Sequence, residues 1–319
     1  MKYKKLNNTD LITTNICLGA GSFGSGLSEQ KSFEILDAYA KAGGNFVDTA
    51  NVYGKWADDK INHSEKTIGK WLKSRDAYKT LIVATKGGHF ELSAPHTTRV
   101  TQTEVRADIE ESLDSLGLDR IELYWLHRDD PQKPVEEIVD FMEEFVAQGK
   151  IRYYGASNYS LDRMTKAVEY AQKNKLQGFC AVQNRWSLAA FAPGVGESAP
   201  DMFSMTDEFY QWHKETMMPS IPYSATASGF FEKLNGNDPR LNQAYKNERS
   251  QKIYGELLAM QKKYGASLHA LSLACLTKSP FETVPIGSVR NVEQLAGFMQ
   301  ASELGEIIEE DLIAKYGCQ

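Results

Sequence analysis

Four cysteines stand in 319 residues, at positions 17, 180, 275 and 318, and no two form a Cys-x-x-Cys pair. That spacing excludes a disulfide-stapled scaffold and a cysteine-rich zinc module, so no metal is expected, and it points to a reducing compartment. A chain of this length buries enough surface to hold a core without staples. Long apolar runs are also missing: no stretch approaches the roughly 20 residues needed to span a bilayer. Met1 to Asp10 is polar and lacks the apolar centre of a secretory signal, so the expected location is cytoplasmic. Basic residues do not predominate. Lys and Arg number 36 against 42 Asp and Glu, a formal net charge of −6. No dense Lys/Arg cluster offers a footprint for nucleic acid or an anionic membrane, and neither is expected as a partner.

What is present is ordinary globular composition, 42% hydrophobic and 24% charged. It contains no low-complexity segment and no break that would mark a domain boundary, so one domain over residues 1–319 is expected. Tyr3 to Leu6 and Leu11 to Thr13, joined by Asn-Asn-Thr-Asp, predict a small hairpin. Short apolar runs then alternate with amphipathic stretches. The runs are Ile16–Leu18, Asn45–Asp48, Thr80–Thr85, Ile121–Leu126, Tyr153–Ala156, Phe179–Gln183, Met218–Tyr223 and Thr283–Pro285.

Helical patterns follow them at Ser28–Ala42, Ser64–Lys73 with Ser64 as cap, Thr101–Leu116, and Pro134–Ala147 with Gly149 just beyond. Further patterns cover Ser160–Asn174, Thr206–Glu215, Ser250–Tyr264, Ser267–Leu276 and Val292–Gln300. A Gly- and Pro-containing loop, Ser187 to Ala199, interrupts the order. Consecutive parallel strands need crossovers, and eight strand–helix units are the number that closes a (β/α)8 barrel. An open doubly wound sheet with extra units is the competing architecture.

Active sites of such barrels lie at the C-terminal strand ends. Asp48 ends the second run, and Tyr53 follows in its loop. Lys86 ends the third and His127 the fourth. Ser157 and Asn158 end the fifth, Gln183 and Asn184 the sixth, Tyr223 and Ser224 the seventh, Gly287 and Ser288 the eighth. Singly, each has a plainer account: a turn-forming aspartate, a rim tyrosine, a surface lysine, a core histidine. A closed barrel would bring all of them to one rim, and four such groups at successive strand ends favour a site. Gly19-Ala20-Gly21-Ser22-Phe23-Gly24 also fits the dinucleotide fingerprint G-x-G-x-x-G. In that motif the last glycine lies inside the helix, whereas here the helix is predicted to begin only at Ser28.

At these residues the chain resembles the aldo-keto reductase superfamily over nearly its whole length. Gly44-Asn45-Phe46-Val47-Asp48-Thr49-Ala50 with Tyr53-Gly54 is similar to the block around the family's catalytic aspartate and tyrosine. Ser64-Glu65 with Ile68-Gly69 resembles the next block. Ala84-Thr85-Lys86 resembles the catalytic-lysine strand, and Leu123-Tyr124-Trp125-Leu126-His127 the catalytic-histidine strand. Tyr154-Gly155-Ala156-Ser157-Asn158-Tyr159 and Val182-Gln183-Asn184 resemble the segments that hold a nicotinamide carboxamide. Tyr223-Ser224 matches the place where a tyrosine stacks on that ring, although Ala225-Thr226 stands where many members carry Pro-Leu. Ile286-Gly287-Ser288 with Arg290, Glu293 and Gln294 resembles the adenosine-phosphate end, in less common wording.

The resemblance implies a TIM barrel, an NADP(H) cofactor and a small-molecule carbonyl substrate. It assigns Gly21, Ser22, Phe23, Asp48, Ser157, Asn158, Gln183, Tyr223, Ser224, Ser228, Gly287, Ser288, Arg290 and Gln294 to the cofactor. Catalysis is expected from Tyr53 as general acid, Lys86 as its tuner, Asp48 as anchor and His127 as orienter of the carbonyl. A free tyrosine titrates near ~10, and a neighbouring ammonium is what would make one a usable acid. Arg290, whose planar fork suits a phosphate, agrees with the phosphorylated dinucleotide.

Two rival functions stand beside this one: a redox-sensing barrel subunit that binds NADPH with little turnover, and a hydrolase using paired carboxylates. The second leaves Lys86, Tyr53 and Gln183 unexplained. Substrate walls are expected from loops Gly87–Val100, Trp186–Met205 and Ala225–Arg249. Phe23, Tyr53, Trp56, Trp125, Trp186, Phe191 and Phe230 are the candidate aromatic lining. Substrate identity, reaction direction and oligomeric state are not legible.

Overall fold

Asn8 takes a left-handed conformation (φ 61°) in the turn that joins β1 (Tyr3–Lys5) to β2 (Ile12–Thr14), a place where asparagine is among the few side chains tolerated. The two strands pair antiparallel, with Tyr3 opposite Thr14 and Lys5 opposite Ile12, as the hairpin pattern predicts. The structure is a computed structural model and describes residues 1–95, 97–192, 195, 201–234 and 238–318. The predicted loop Ser187–Ala199 therefore lies partly outside the described residues. The chain forms two compact units, one of Leu18–Gln183 and one of Met1–Cys17 with Asn184–Gln319.

Residues 18–183 alternate strand and helix: β3 (Cys17–Gly19), α1 (Glu29–Lys41), β4 (Phe46–Asp48), α2 (His63–Arg75), β5 (Ile82–Gly87), α3 (Gln102–Leu116), β6 (Ile121–Leu126), α4 (Val135–Ala147), β7 (Ile151–Ser157), α5 (Leu161–Asn174) and β8 (Val182–Gln183). The strands run parallel in the order β8-β7-β6-β5-β4-β3. Helices start where the sequence offers caps. Ser28, Thr101 and Ser160 each accept a backbone N–H three residues on, from Lys31, Glu104 and Arg163.

Ser64 is the exception. Helix α2 begins at His63, and the buried Ser64 hydroxyl instead donates to the Ala20 carbonyl at 2.7 Å while bonding Thr49 Oγ1 at 2.6 Å. Strand β5 starts two residues later than predicted because Thr80 and Leu81 turn back to the Ala77 carbonyl. The G-x-G-x-x-G segment is a turn, with Leu27 N–H bonded to the Ser22 carbonyl at 2.7 Å, and α1 begins only at Glu29.

Strands covered on both faces show near-continuous burial. In β6, Leu123, Tyr124, Trp125 and Leu126 are all fully buried. Gly155 on β7 makes room for Trp125, since an added Cβ would overlap the indole ring.

The other unit holds α6 (Asp207–Thr216), a 3-10 turn (Ala227–Gly229), α7 (Phe230–Lys233), α8 (Pro239–Tyr245), α9 (Glu248–Tyr264), α10 (Leu268–Thr277), β9 (Ile286–Gly287), α11 (Val292–Ile307) and α12 (Leu312–Tyr316). The predicted seventh strand, Met218–Tyr223, is reduced to isolated bridges, Ser220 with Thr283 and Arg185 with Tyr223. Pro219 and Pro222 lack the N–H groups that a full ladder requires. The cysteines at 17, 180, 275 and 318 are buried, and none is in a disulfide. Among the described residues no helix is long and apolar enough to cross a membrane.

Candidate active site

Within residues 18–183, the parallel strands deliver their last residues side by side. Asp48 ends β4, Lys86 is next to last in β5, His127 follows β6, Ser157 ends β7 and Gln183 ends β8. Lys86 is 1% exposed, and its ammonium pairs with Asp48 Oδ1 and donates to the Thr49 carbonyl at 2.7 Å. Asp48 Oδ2 accepts from Gln183 Nε2 at 2.9 Å. The carboxylate is thus bonded at both oxygens, and the buried pair is satisfied, as a buried pair must be to persist.

Tyr53 lies in the loop after β4, half-buried, with its ring centroid 5.0 Å from the Lys86 Nζ. Gly54, at φ 103°, lets the chain turn immediately after it; a Cβ there would meet the His63 N at 2.6 Å. Gly21 lies against the tyrosine ring, where a Cβ would sit 3.5 Å from Cε2.

Burial disfavours charge on Lys86, yet Asp48 and Tyr53 together outweigh it and hold the lysine above its ordinary range. It stays an ammonium at neutral pH. Burial pushes the Asp48 carboxyl upward, and Lys86 pulls it back. His127 is the opposite case. Burial, followed by the charges of Lys86, His89 and Arg128, holds its imidazole well below the usual range, so the ring is neutral. It meets Tyr53 edge-on at 5.8 Å. Its buried Nδ1 has no hydrogen-bond partner among the described residues. Buried polar atoms are nearly always bonded, so an atom left open in a site marks a place for a ligand or water.

Asn158, left-handed at φ 60°, turns its amide back to donate to the His127 carbonyl at 3.2 Å and to Ser157 Oγ at 3.1 Å. Ser157 Oγ donates to the Gln183 carbonyl at 2.9 Å. Ser22 is half-buried, while the Phe23 ring is fully buried and its N–H is bonded to Ala20.

The remaining predicted contacts lie in the other unit. Tyr223 is half-buried, and Ser224 and Ser228 are exposed in left-handed conformations, φ 53° and 57°. Gly287 ends β9, and a Cβ there would come within 2.6 Å of the Phe298 ring. Ser288 and Arg290 are exposed just ahead of α11. Asn291 caps that helix by accepting from Gln294 N at 2.9 Å, and the Gln294 side chain accepts from Arg290 N at 2.8 Å.

An exposed guanidinium beside a helix N-terminus favours a phosphate, and the carboxamides of Asn158 and Gln183 carry both donor and acceptor groups, matching an amide. Of the predicted aromatic lining, Phe23, Trp125, Trp186 and Phe230 are core, at most 2% exposed. Trp56 is 53% exposed, 6.1 Å from Tyr53. Parts of all three predicted substrate loops, residues 96, 193, 194, 196–200 and 235–237, lie outside the described residues.

Three residues beside the site were not singled out by sequence, although His89 and Phe90 fall in the expected wall loop Gly87–Val100. The His89 ring meets His127 at 4.7 Å and Phe90 at 4.1 Å, and the Arg128 guanidinium lies over Phe90 at 5.5 Å. Arg128 also donates to the His127 carbonyl at 3.0 Å. Their only sequence signal is adjacency: His89 and Phe90 follow Gly87-Gly88, and Arg128 follows His127.

A neutral imidazole, a phenol beside a buried ammonium and a carboxylate locked in a pair are suited to proton delivery at an oxygen. The family model for the aldo/keto reductase family matches residues 15–314. The chain belongs to that family of oxidoreductases. It is 28% identical over 313 residues to the Bacillus subtilis (strain 168) protein described as "Uncharacterized oxidoreductase YrpG", covering 95% of this chain and 92% of that one. It is 26% identical over 301 residues to "Aryl-alcohol dehydrogenase [NADP(+)]" of Phanerodontia chrysosporium, covering 87% and 73%. Among solved structures, a thermostable aldo-keto reductase in complex with the inhibitor epalrestat superimposes with a TM-score of 0.72 at 23% identity, covering 99% of both chains. The fold class is accordingly the α/β (β/α)8 barrel with a short N-terminal hairpin.

Proposed function

We propose that the protein is an NADP(H)-dependent reductase of a small aldehyde or ketone, acting in the cytoplasm. The dinucleotide, when bound, supplies the hydride, which no side chain can provide. Tyr53 delivers the proton to the carbonyl oxygen. Lys86, kept charged and immobile by Asp48 and the Thr49 carbonyl, stabilises the tyrosine oxygen as its proton leaves. Neutral His127 offers a ring nitrogen to the carbonyl oxygen without adding a second charge to the site.

Ser157, Asn158 and Gln183 hold the nicotinamide amide, with Gly21, Ser22 and Phe23 in the adjoining turn. Tyr223 stacks on the ring, Ser224 and Ser228 flank the pyrophosphate, and Gly287, Ser288, Arg290 and Gln294 receive the adenosine phosphate. The observation that carries this reading is the Lys86 ammonium, buried between Asp48 and the Tyr53 ring. Aryl aldehydes are the first substrates to try, because the Trp56 ring lies by Tyr53 and the His89 ring by His127, with Phe90 against His89, and one relative is named for aryl alcohols.

The test is steady-state loss of NADPH, and separately of NADH, against a panel of aldehydes and ketones, for wild type and Tyr53→Phe. Turnover in wild type that falls by orders of magnitude in Tyr53→Phe, with cofactor binding intact, supports the proposal. Full turnover in Tyr53→Phe removes the tyrosine from the mechanism. Tight NADPH binding with no turnover on any carbonyl would instead favour a sensing subunit.

A further inference from the structure

Tyr53 sits midway along residues 51–55, and side chains at both ends of that stretch converge on one carboxylate of α3. Glu111 Oε2 accepts from Lys55 Nζ at 2.6 Å and from Asn51 Nδ2 at 3.0 Å, while Lys55 Nζ also donates to Asn51 Oδ1 at 2.7 Å. The three side chains close a triangle. The backbone is pinned as well: Asn51 N–H donates to the Lys86 carbonyl at 2.9 Å, and Tyr53 N–H to the Ala50 carbonyl at 3.0 Å. A segment fixed at both ends by the same acceptor has little freedom at its midpoint.

The same helix face carries Asp108, three residues earlier. It accepts from the Gly88 N–H at 2.8 Å and pairs with Arg99 at 3.0 Å, and Arg99 in turn donates to the His89 carbonyl at 3.1 Å. One face of α3 therefore holds the loop that bears Tyr53 and the loop that follows Lys86. Asn51 is buried, whereas the Lys55 and Glu111 side chains are 24% and 44% exposed. A pair that open to solvent contributes little to global stability, so a role in placing Tyr53 is separable from a role in folding.

We propose that Glu111, acting with Asn51 and Lys55, is a positioning residue for Tyr53, fixing the 51–55 loop so that the tyrosine hydroxyl stays beside the Lys86 ammonium. The proposal rests on the reading of Tyr53 as the proton donor. Sub-ångström placement of a reacting group matters at this scale, and a displacement of about 1 Å costs up to about 100-fold in rate.

The test uses Glu111→Gln, Lys55→Met, their double variant and the conservative Lys55→Arg. Measurements are kcat and KM for a reducible aldehyde, NADPH affinity by fluorescence, melting temperature, and the ring carbon-13 resonance of Tyr53, assigned by its loss in Tyr53→Phe. The expected result is a kcat lower by about tenfold in each single variant and no further loss in the double, because both break one triangle. Aldehyde KM, NADPH affinity and melting temperature stay within error, the Tyr53 resonance moves, and Lys55→Arg behaves as wild type. An unmoved resonance in both Glu111→Gln and Lys55→Met overturns the proposal, as does a rate loss that only follows a fall in melting temperature. Should wild type reduce no carbonyl, the proposed function fails while the resonance still decides the positioning: a shift supports it, none overturns it.

Discussion

Thr85 and Lys86, adjacent on β5, serve different buried groups: Lys86 binds Asp48, and the Thr85 hydroxyl donates to Glu65 Oε1 at 2.5 Å. Glu65 is fully buried and also accepts from Asn62 Nδ2 at 2.6 Å. Burial lifts its carboxyl to about 7, against the hydrogen bonds from Thr85 and Asn62 that lower it. The folded protein therefore binds a proton here that the unfolded chain has already released between its ordinary value of 4.5 and 7. By linkage, the contribution of Glu65 to stability is greatest below 4.5 and declines as pH rises to 7, then levels off. The full penalty at alkaline pH is roughly 3 kcal/mol. Glu65→Gln cannot ionise, so the difference in unfolding free energy between it and wild type should grow in the variant's favour from pH 5 to pH 8. Urea melts across that range check it, and a difference that does not change with pH would refute the ionisation.

The Asp48–Lys86 pair predicts a second asymmetry. Breaking a buried pair strands an uncompensated charge and typically costs about 3–5 kcal/mol, whereas removing both charges costs far less. Lys86→Met should accordingly be much less stable than Asp48→Asn/Lys86→Met, with neither reducing a carbonyl. Denaturant unfolding measures the first comparison. Equal stability of the two would show that the pair is not the buried, desolvated contact described.

Much of this was legible because strand ends are written locally. Lys86 and His127 each close an apolar run, and Ser28, Ser160 and Thr206 announce helix starts by type and position. Local signals failed where tertiary partners overrode them. Ser64 has the chemistry of a cap but is drawn to Ala20 and Thr49. Helix α8 lies within the expected loop Ala225–Arg249, although Asp238 and Pro239 form a proper start, with Asp238 accepting from Arg240 N. Pro219 and Pro222 stand within the seventh apolar run, and their missing N–H groups outweigh its strand pattern. Glu111 carried no signal at all: on α3 it resembles any solvated acid, and only the fold brings it to Asn51 and Lys55.

Arg290 tests the cofactor's identity. Its guanidinium is exposed one residue before the Asn291 cap of α11, and its own N–H is already held by Gln294. If it receives a 2′-phosphate, Arg290→Ala removes a charge-assisted contact worth about 1.5–3 kcal/mol, or roughly 10- to 100-fold in affinity. NADPH dissociation constants should rise by that factor while NADH constants hardly change. Titration of intrinsic fluorescence with each dinucleotide checks it, and equal weakening of both would rule out the phosphate contact.

His127 makes the last prediction, because in the proposed reaction its neutrality is what lets it face a carbonyl oxygen beside a fixed ammonium. Burial chiefly, with Lys86, His89 and Arg128, holds its ring well below the ordinary 6.5. The folded state thus binds fewer protons than the unfolded chain once pH falls below 6.5, and the stability this residue contributes above that pH is lost as pH drops toward its folded value. Two results follow. The His127 ring resonances, assigned by comparison with His127→Gln, should show no titration between pH 8 and 6. The rate kcat/KM should show no acid limb in that range that His127→Gln abolishes. A titration near 6.5 would mean that the imidazole is charged within the working range, and the neutral-orienter role would have to be given up.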